Sequence, residues 1–385
     1  MDERVKFCFE HSLGQESMTD LCRKYGISRQ SGYKWLGRYE AEGFGGLNDR
    51  SRAPHNRPNT MPRDIEELIV AERRRRPTWG PKKLLAVLAR SYPKLQLPAR
   101  STVAVLLQRR GLVAARRKPQ RTPTYEGPFT TCRAPNELWC ADFKGNFRMS
   151  NGRVCNPFTL TDAHSRYLLR CDGLTRIDEF AVRPLLEAAF REHGLPLAIR
   201  TDNGPPFASR TVAGLSRLSI WWIKLGIRPE RIEPGKPTQN GRHERMHRTL
   251  KQETAAPPKR NMEEQQLAFD CFRKSYNDER PHEALGQDVP AQHYRPALRL
   301  YPSKLREPEY GDGLELRKVH KGYLKWRGKQ IYLSETLERE TVGIEELGDG
   351  KWLVYFGPLS LGILNAEGQF QRPGRGRTPW GAGPK

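Results

Sequence analysis

Glu244 stands in two chemical patterns at once. Within His243-Glu244-Arg245-Met246-His247 it has HExxH spacing, which on a helix sets two imidazoles on one face to hold zinc beside a carboxylate base. Taken with Asp142 and Asp202, it is instead the third of three acids. Carboxylate oxygens suit hard cations such as Mg²⁺ or Mn²⁺, and two such ions can stabilise both oxygens of an in-line phosphoryl displacement. Like-charged carboxylates about 4 Å apart repel by roughly 4 kcal/mol at an effective dielectric near 20, so this trio needs cations to converge. Spacing alone is weak, because 44 acids yield many triplets.

The neighbours of Glu244 separate the two readings. Arg242, Arg245 and Arg248 crowd the segment with positive charge, unfavourable beside a bound zinc and suited to a phosphate backbone. No third zinc ligand stands at a recognisable spacing. The seven cysteines include no CxxC pair, which opposes a zinc ribbon or a disulfide scaffold and fits reduced thiols in a cytoplasmic protein. The first residues form no apolar signal core, and no run approaches a membrane span.

The elements that must position the acids follow from local patterning. Glu137 to Phe143 reads as a strand bearing Asp142, and Asn156 to Asp162 and Ser165 to Cys171 as two more, turning at Asp162-Ala-His164. Asp162 is read as a turn residue. Asp178 to His193 carries Phe180, Leu185 or Leu186 and Ala189 at helical spacing and stops at Gly194. Leu197 to Asp202 is a strand ending in an acid, Ser209 to Leu225 a helix, and a further helix is expected from Gln239 or Asn240 to about Glu253. Strands and helices in this order make a mixed α/β layer, expected over 134–295.

Upstream, residues 1–50 read as a helix-turn-helix domain. Val5, Phe9 and Leu13 mark one helical face, Thr19 a cap for the second helix, and Ser28 a cap for the third. The third helix offers Arg29, Gln30, Lys34 and Arg38 for base edges and phosphates. Phe44 to Met61 reads as linker. A second helical DNA-binding unit spans 61–113, with Ile65, Leu68 and Ile69, then Leu84, Leu85 and Leu88, then a helix capped by Ser101. A basic linker over 114–133 carries Arg116, Arg117 and Lys118. Residues 1–121 hold 26 Lys+Arg against 12 Asp+Glu, and the whole chain carries +23, so the expected partner is a polyanion, most simply nucleic acid, which for a helix-turn-helix is double-stranded DNA. Short β-rich runs over 310–371 predict a small closed β-barrel, and 372–385 a disordered tail.

Three motifs in order sharpen the acids: Thr201-Asp202-Asn203-Gly204-Pro-Pro-Phe207, Pro237-Thr-Gln-Asn-Gly241-Arg-His-Glu244, and Tyr276-Asn277-Asp-Glu-Arg280-Pro281-His282 followed by Pro290, Ala291 and Tyr294. With Trp139-Cys-Ala-Asp142 before them, this stretch resembles the integrase-type catalytic core of the DDE transposases, the group of bacterial insertion-sequence transposases and retroviral integrases. The resemblance implies a multidomain protein: all-α helix-turn-helix modules, a central α/β ribonuclease-H-like core and a C-terminal β-barrel. It further implies Asp142, Asp202 and Glu244 as catalytic metal ligands, two Mg²⁺ (or Mn²⁺) ions, hydrolysis at element ends, strand transfer into target DNA, and a homo-oligomer joining two ends. Glu244 follows Asp202 by 42 positions, more than the family's archetypal spacing, and the extra length is expected around Leu215 to Trp222. Two alternatives stay beside this reading: a DNA-binding regulator with an inactive nuclease-like core, and the zinc protease.

Overall fold

The computed structural model describes residues 3–50, 61–113, 132–143, 145–209, 211–232 and 241–372; the side chains of 241–244 lie outside the description. Two compact units meet in sequence at Pro62.

The first unit holds α1 (Glu3–Ser12), α2 (Met18–Lys24) and α3 (Arg29–Glu42). Ser28 caps α3 by accepting from the Ser31 N–H at 3.2 Å. The α2 cap is Ser17 rather than Thr19, because the helix begins at Met18 and Ser17 supplies the extended backbone and the acceptor for Asp20 N–H. Nor does α1 bury the expected stripe: Phe7 and Cys8 are inside, whereas Phe9 and Leu13 are exposed. The helix is turned by Phe7, whose ring packs edge-on against Tyr25 and Trp35 at 5.5 and 5.7 Å and reaches the Cα of Gly32 on α3. The expected linker also starts later, since Gly43–Leu47 forms a 3-10 turn whose Leu47 is buried and whose carbonyl accepts from Arg4.

In the second unit, α4 (Arg63–Arg75), α5 (Pro81–Ser91) and α6 (Arg100–Arg109) pack around Ile65, Ile69, Leu84, Leu88, Val103, Leu106 and Leu107. Ser101 is not the α6 cap; Ala99 occupies that position without a side-chain bond.

A mixed sheet follows, built from β1 (Leu138–Phe143), β2 (Phe147–Arg148), β3 (Val154–Asp162), β4 (Leu168–Leu174), β5 (Ala198–Thr201) and β6 (Arg228–Arg231). From one edge the order is β4-β3-β1-β5-β6, with β2 pairing β3 beyond the end of β1. Strands β1, β5 and β6 are parallel, and β3 runs against β1. Helices α7 (Glu179–His193) and α8 (Arg217–Lys224) cover one face, sharing a core with Trp139, Ala141 and Phe158. Helices α9 (Gly241–Thr254) and α10 (Met262–Asp278) cover the other, where Met246, Leu250, Phe269 and Phe272 meet Cys155 and Leu168. Side chains alternate along a strand, so with Trp139 and Ala141 facing α7 and α8, Asp142 faces α9. The short helix α11 (Pro290–His293) leads to Tyr294, whose hydroxyl bonds Asn136 at 3.0 Å and closes the layer.

Two local expectations change here. Phe180 on α7 is exposed; Val182, Leu186, Ala189 and Phe190 form the buried stripe. The helix expected over Ser209 to Leu225 is only α8, because Ser209 and Thr211 bond each other and the Leu215 carbonyl, and a Ser216–Ser219 capping box starts the helix afresh. Its two sides serve two cores: Leu218, Trp221 and Trp222 enter the sheet layer, while Ile220 and Ile223, with Val212 and Leu215 from the turn before the helix, join the C-terminal sheet.

That C-terminal sheet has seven antiparallel strands: β7 (Glu315–His320), β8 (Tyr323–Trp326), β9 (Lys329–Tyr332), β10 (Thr341–Gly348), β11 (Lys351–Phe356), β12 (Leu359–Asn365) and β13 (Phe370–Gln371). The order β13-β12-β11-β10-β7-β8-β9 is linear, so among the described residues no ladder closes the expected barrel. The sheet instead curls until Lys329 Nζ of β9 donates to the Glu367 carbonyl beside β13 at 2.7 Å. A side chain, not a backbone ladder, bridges its edges.

Candidate active site

Asp142 and Asp202 come to one level of the sheet for a reason of register. β1 and β5 are parallel neighbours with Cys140 opposite Arg200, and each acid lies two residues further on. Neighbouring strands run about 4.8 Å apart, so the two positions sit side by side at the C-terminal ends of parallel strands, where open α/β sheets hold their ligands.

The Asp-Asn-Gly turn is shaped around its acid. Asn203 Nδ2 donates to the Ile232 carbonyl at 2.8 Å, pinning the exit of β5 to the exit of β6. Gly204 N–H donates to Asp202 Oδ1 at 3.2 Å, and a Cβ on Gly204 would stand 3.1 Å from Asp202 Oδ2. Phe207 anchors the turn among Phe143, Phe158 and Trp222. Burial raises the Asp202 carboxyl above its ordinary value, and the Gly204 N–H only partly offsets this. Among the described residues, none forms an ion pair with Asp202. A half-buried carboxylate held by one amide is a donor suited to a divalent cation.

Asp142 is more enclosed, with its side chain 16 % exposed. Its partner across the β1–β3 ladder is Thr159, whose hydroxyl donates to the Asp142 carbonyl at 3.2 Å. The same hydroxyl lies 2.7 Å from Nε2 of His247 on α9, a histidine that is 3 % exposed. His247 Nδ1 stands 3.8 Å from Asp142 Oδ2. Position 244 precedes His247 by three residues in the same helix, so it shares that helix face one turn earlier. The side chains of Glu244, Arg242 and His243 lie outside the described residues, as do Arg116, Arg117, Lys118 and Glu233. Among the described residues no cluster of three metal-ligating side chains occurs. The zinc-protease reading gains no support: the described His247 ring is buried against Thr159.

The remaining acids have structural work. Asp162 is buried and accepts from Asn136 N–H, Ser165 N–H and Ser165 Oγ, so it forms the β3–β4 turn. Glu253, at the far end of α9, accepts from Arg280 at 2.8 Å and from the Thr78 hydroxyl at 2.6 Å. Around it the α4–α6 segment docks on the core: the Trp79 ring lies under the Arg76 and Arg280 guanidinium groups at 4.5 and 5.7 Å, and Arg76 and Lys82 pair with Glu279 and Glu283. Desolvation, with Arg280 next, brings the Lys83 ammonium down to about 8. All seven cysteines are free thiols, and burial pushes Cys140 and Cys155 up to about 12.

On α3, Arg29, Gln30 and Lys34 are exposed and Arg38 half-buried; on α9, Arg245 and Arg248 are exposed. Sequence reasoning assigned no role to Thr159 or to the docking residues Trp79 and Glu253. Thr159 carries no motif. Its place opposite Asp142 depends on strand register, which a single sequence does not display.

The fold is that of a ribonuclease-H-like core preceded by a helix-turn-helix region. Comparison with known proteins agrees: integrase core domain models match residues 133–237 and 225–290, and a homeodomain-like domain model matches 31–107. The chain is 30% identical over 181 residues to an uncharacterized 31.7 kDa protein of insertion element IS407 from Burkholderia multivorans, covering 47% of this chain and 63% of that protein. It is 28% identical over 248 residues to an uncharacterized 39.2 kDa protein of insertion element IS476 from Xanthomonas euvesicatoria, covering 62% and 66%. The chain thus spans just under two thirds of the length of these relatives. A simian T-cell lymphotropic virus intasome in complex with PP2A regulatory subunit B56 gamma aligns at 17% identity and a TM-score of 0.38, over 68% of this chain and 90% of that one. Residues 133–290 are thus similar to integrase core domains, and the chain is similar to proteins of bacterial insertion elements.

Proposed function

We propose that this chain is a DNA transposase that binds element ends through its N-terminal helices and carries out metal-dependent DNA cleavage and strand transfer, with Asp142, Asp202 and Glu244 as the metal-binding acids. The observation that carries the reading is the register of β1 and β5, which pairs Cys140 with Arg200, each two residues before an acid, together with the approach of α9, the helix that contains position 244, to Asp142. Mg²⁺ or Mn²⁺ held by these acids would supply positive charge at the attacking and leaving oxygens of the phosphoryl displacement. The protein's own part is positional. Asn203 and Gly204 orient Asp202, the β3 ladder orients Asp142, and α9 offers Arg245 and Arg248 on its exposed side for the phosphate backbone. Arg29, Gln30, Lys34 and Arg38 read the element end. Joining two ends requires at least two copies of the chain.

The test is a strand-transfer assay with Mg²⁺ or Mn²⁺ on Asp142→Asn, Asp202→Asn and Glu244→Gln proteins. Loss of joining with retained DNA binding is expected for each. Undiminished joining by any of them removes that residue from the site, and specific binding without nicking by the wild-type chain would favour a regulator.

A further inference from the structure

We infer that His247 is a positioning residue for Asp142, acting through Thr159 to fasten the helix that carries Glu244 to the strand that carries Asp142. The inference rests on reading Asp142 as a metal ligand.

Three observations converge on it. His247 is 3 % exposed, in a helix whose neighbouring Arg245 and Arg248 are in solvent, so the ring is a group that α9, like the adjacent Met246, buries against the sheet. Its Nε2 meets Thr159 Oγ1 at 2.7 Å, and that hydroxyl donates to the Asp142 carbonyl at 3.2 Å. Thr159 is also the register partner of Asp142. A hydroxyl has one proton; with that proton on the Asp142 carbonyl, the network assigns the His247 proton to Nε2. The chain of donors then runs from His247 to Thr159 to the Asp142 backbone. Nδ1 stands 3.8 Å from Asp142 Oδ2, longer than a hydrogen bond. The ring therefore fixes the strand and the helix relative to each other through the backbone of Asp142. Groups of this kind, one bond removed from a ligand, commonly alter metal affinity or activity by about 10–100-fold when removed.

The test uses the full chain and four variants: His247→Phe, His247→Gln, Thr159→Val and the His247→Phe/Thr159→Val double. Phe keeps the ring volume without the donor, Gln returns an amide N–H near the Nε2 position, and Val keeps the shape of Thr159 without its hydroxyl. Mn²⁺ affinity is read by calorimetry on the DNA-free protein, and strand joining by single-turnover kinetics with pre-bound DNA. His247→Phe and Thr159→Val should each weaken Mn²⁺ binding and slow joining by about 10–100-fold with DNA affinity unchanged. The double variant should be no worse than either single, and His247→Gln should recover most of the loss. Wild-type Mn²⁺ binding and joining in His247→Phe would overturn the inference, as would a double variant showing the product of the single effects. Should His247→Phe fail to fold, Thr159→Val and His247→Gln carry the same comparison. Asp142→Asn separates the two levels: if it binds Mn²⁺ and joins normally, the metal-site reading falls; if it is inactive while Thr159→Val and His247→Phe behave as wild type, only the role of His247 falls.

Discussion

Arg280 donates to Glu253 Oε1 at 2.8 Å, and the same oxygen accepts the Thr78 hydroxyl at 2.6 Å. One carboxylate at the end of α9 thus gathers the exit of α10 and the turn between α4 and α5. The helix is held at both ends of its buried face, by His247 near its start and by this cluster at its finish. Arg280 is 8 % exposed and also lies over Trp79, so its removal leaves Glu253 without its cation and Trp79 without one of its two.

Arg280→Ala should therefore destabilise the chain by about 3 kcal/mol, the lower end for breaking a buried pair, because Glu253 keeps a quarter of its side chain in water. Urea unfolding followed by tryptophan fluorescence measures it. A change below about 0.5 kcal/mol, as expected for an ordinary surface position, would show that the cluster holds nothing together.

Acid should loosen the same region. His282 lies edge-on to Tyr276 at 4.7 Å, its Nε2 is buried without a hydrogen-bond partner, and desolvation, then Lys83, Arg280 and Arg166, lower it to about 3. A depressed histidine contributes stability that is present above its unfolded value near 6.5 and is lost as pH falls toward about 3. His282→Phe should flatten the fall in melting temperature between pH 6.5 and 4 relative to wild type. Parallel curves for the two proteins would remove His282 from the acid response.

What the sequence made legible follows the strength of local signals. The strand ends at Asp142 and Asp202 and the helix from Gly241 to Thr254 were readable because apolar runs and Asn-Gly turns bound them. β6 was not: Arg228-Pro-Glu-Arg231 is polar, and it is a strand only because it pairs with β5 at the sheet edge. α10 was likewise passed over, its buried positions Phe269, Phe272 and Tyr276 being thinly spaced among polar residues. Phe9, Leu13 and Phe180 have the right period for a core and still lie outside, since tertiary crossing points, not period, chose the buried face. The barrel expectation holds in part: the seven strands form a curled antiparallel sheet, but among the described residues no ladder joins the first and last, because strand propensity is local and closure is not.

Gly32 is such a crossing point. A Cβ there would stand 2.8 Å from Cys22 Sγ, 2.9 Å from Phe7 Cζ and 3.1 Å from Met18 Sδ. Met18 can give way, but the Phe7 ring is held between Tyr25 and Trp35. Gly32→Ala should cost about 1–3 kcal/mol of overpacking despite the better helix propensity of alanine. Thermal melting of the chain should show an earlier transition, and an unchanged or later one would mean that α1 and α3 separate freely.

Asp202 supplies a metal-linked prediction. Burial raises its carboxyl above the ordinary value, so folding disfavours the ionised form relative to the unfolded chain. Its contribution is present below its unfolded value and is lost as pH rises through the folded value, leaving a cost at neutral pH that a cation offsets. Asp202→Asn should therefore melt above wild type in chelator at pH 7. Wild type should gain about 2.7 kcal/mol with Mn²⁺ at a hundred times its dissociation constant, and the variant little of it. Equal Mn²⁺ stabilisation of both proteins would place the cation elsewhere.

The exposed side of α3 gives the last prediction. Arg29, Gln30 and Lys34 lie in solvent on the helix that Ser28 caps, with Arg38 half-buried one turn beyond Lys34. A helix of this kind meets base edges with its N-terminal residues and phosphates further along. Gln30→Ala should lose preference for the element end over random DNA while keeping its salt dependence. Lys34→Ala should weaken both DNAs alike and reduce the slope of log affinity against log salt by about 0.9, the release expected for one phosphate contact. Fluorescence anisotropy with matched end and scrambled duplexes at several salt concentrations distinguishes these outcomes. If Lys34→Ala leaves the slope intact and Gln30→Ala leaves the preference intact, α3 is not the reading helix, and the basic face belongs to solvent.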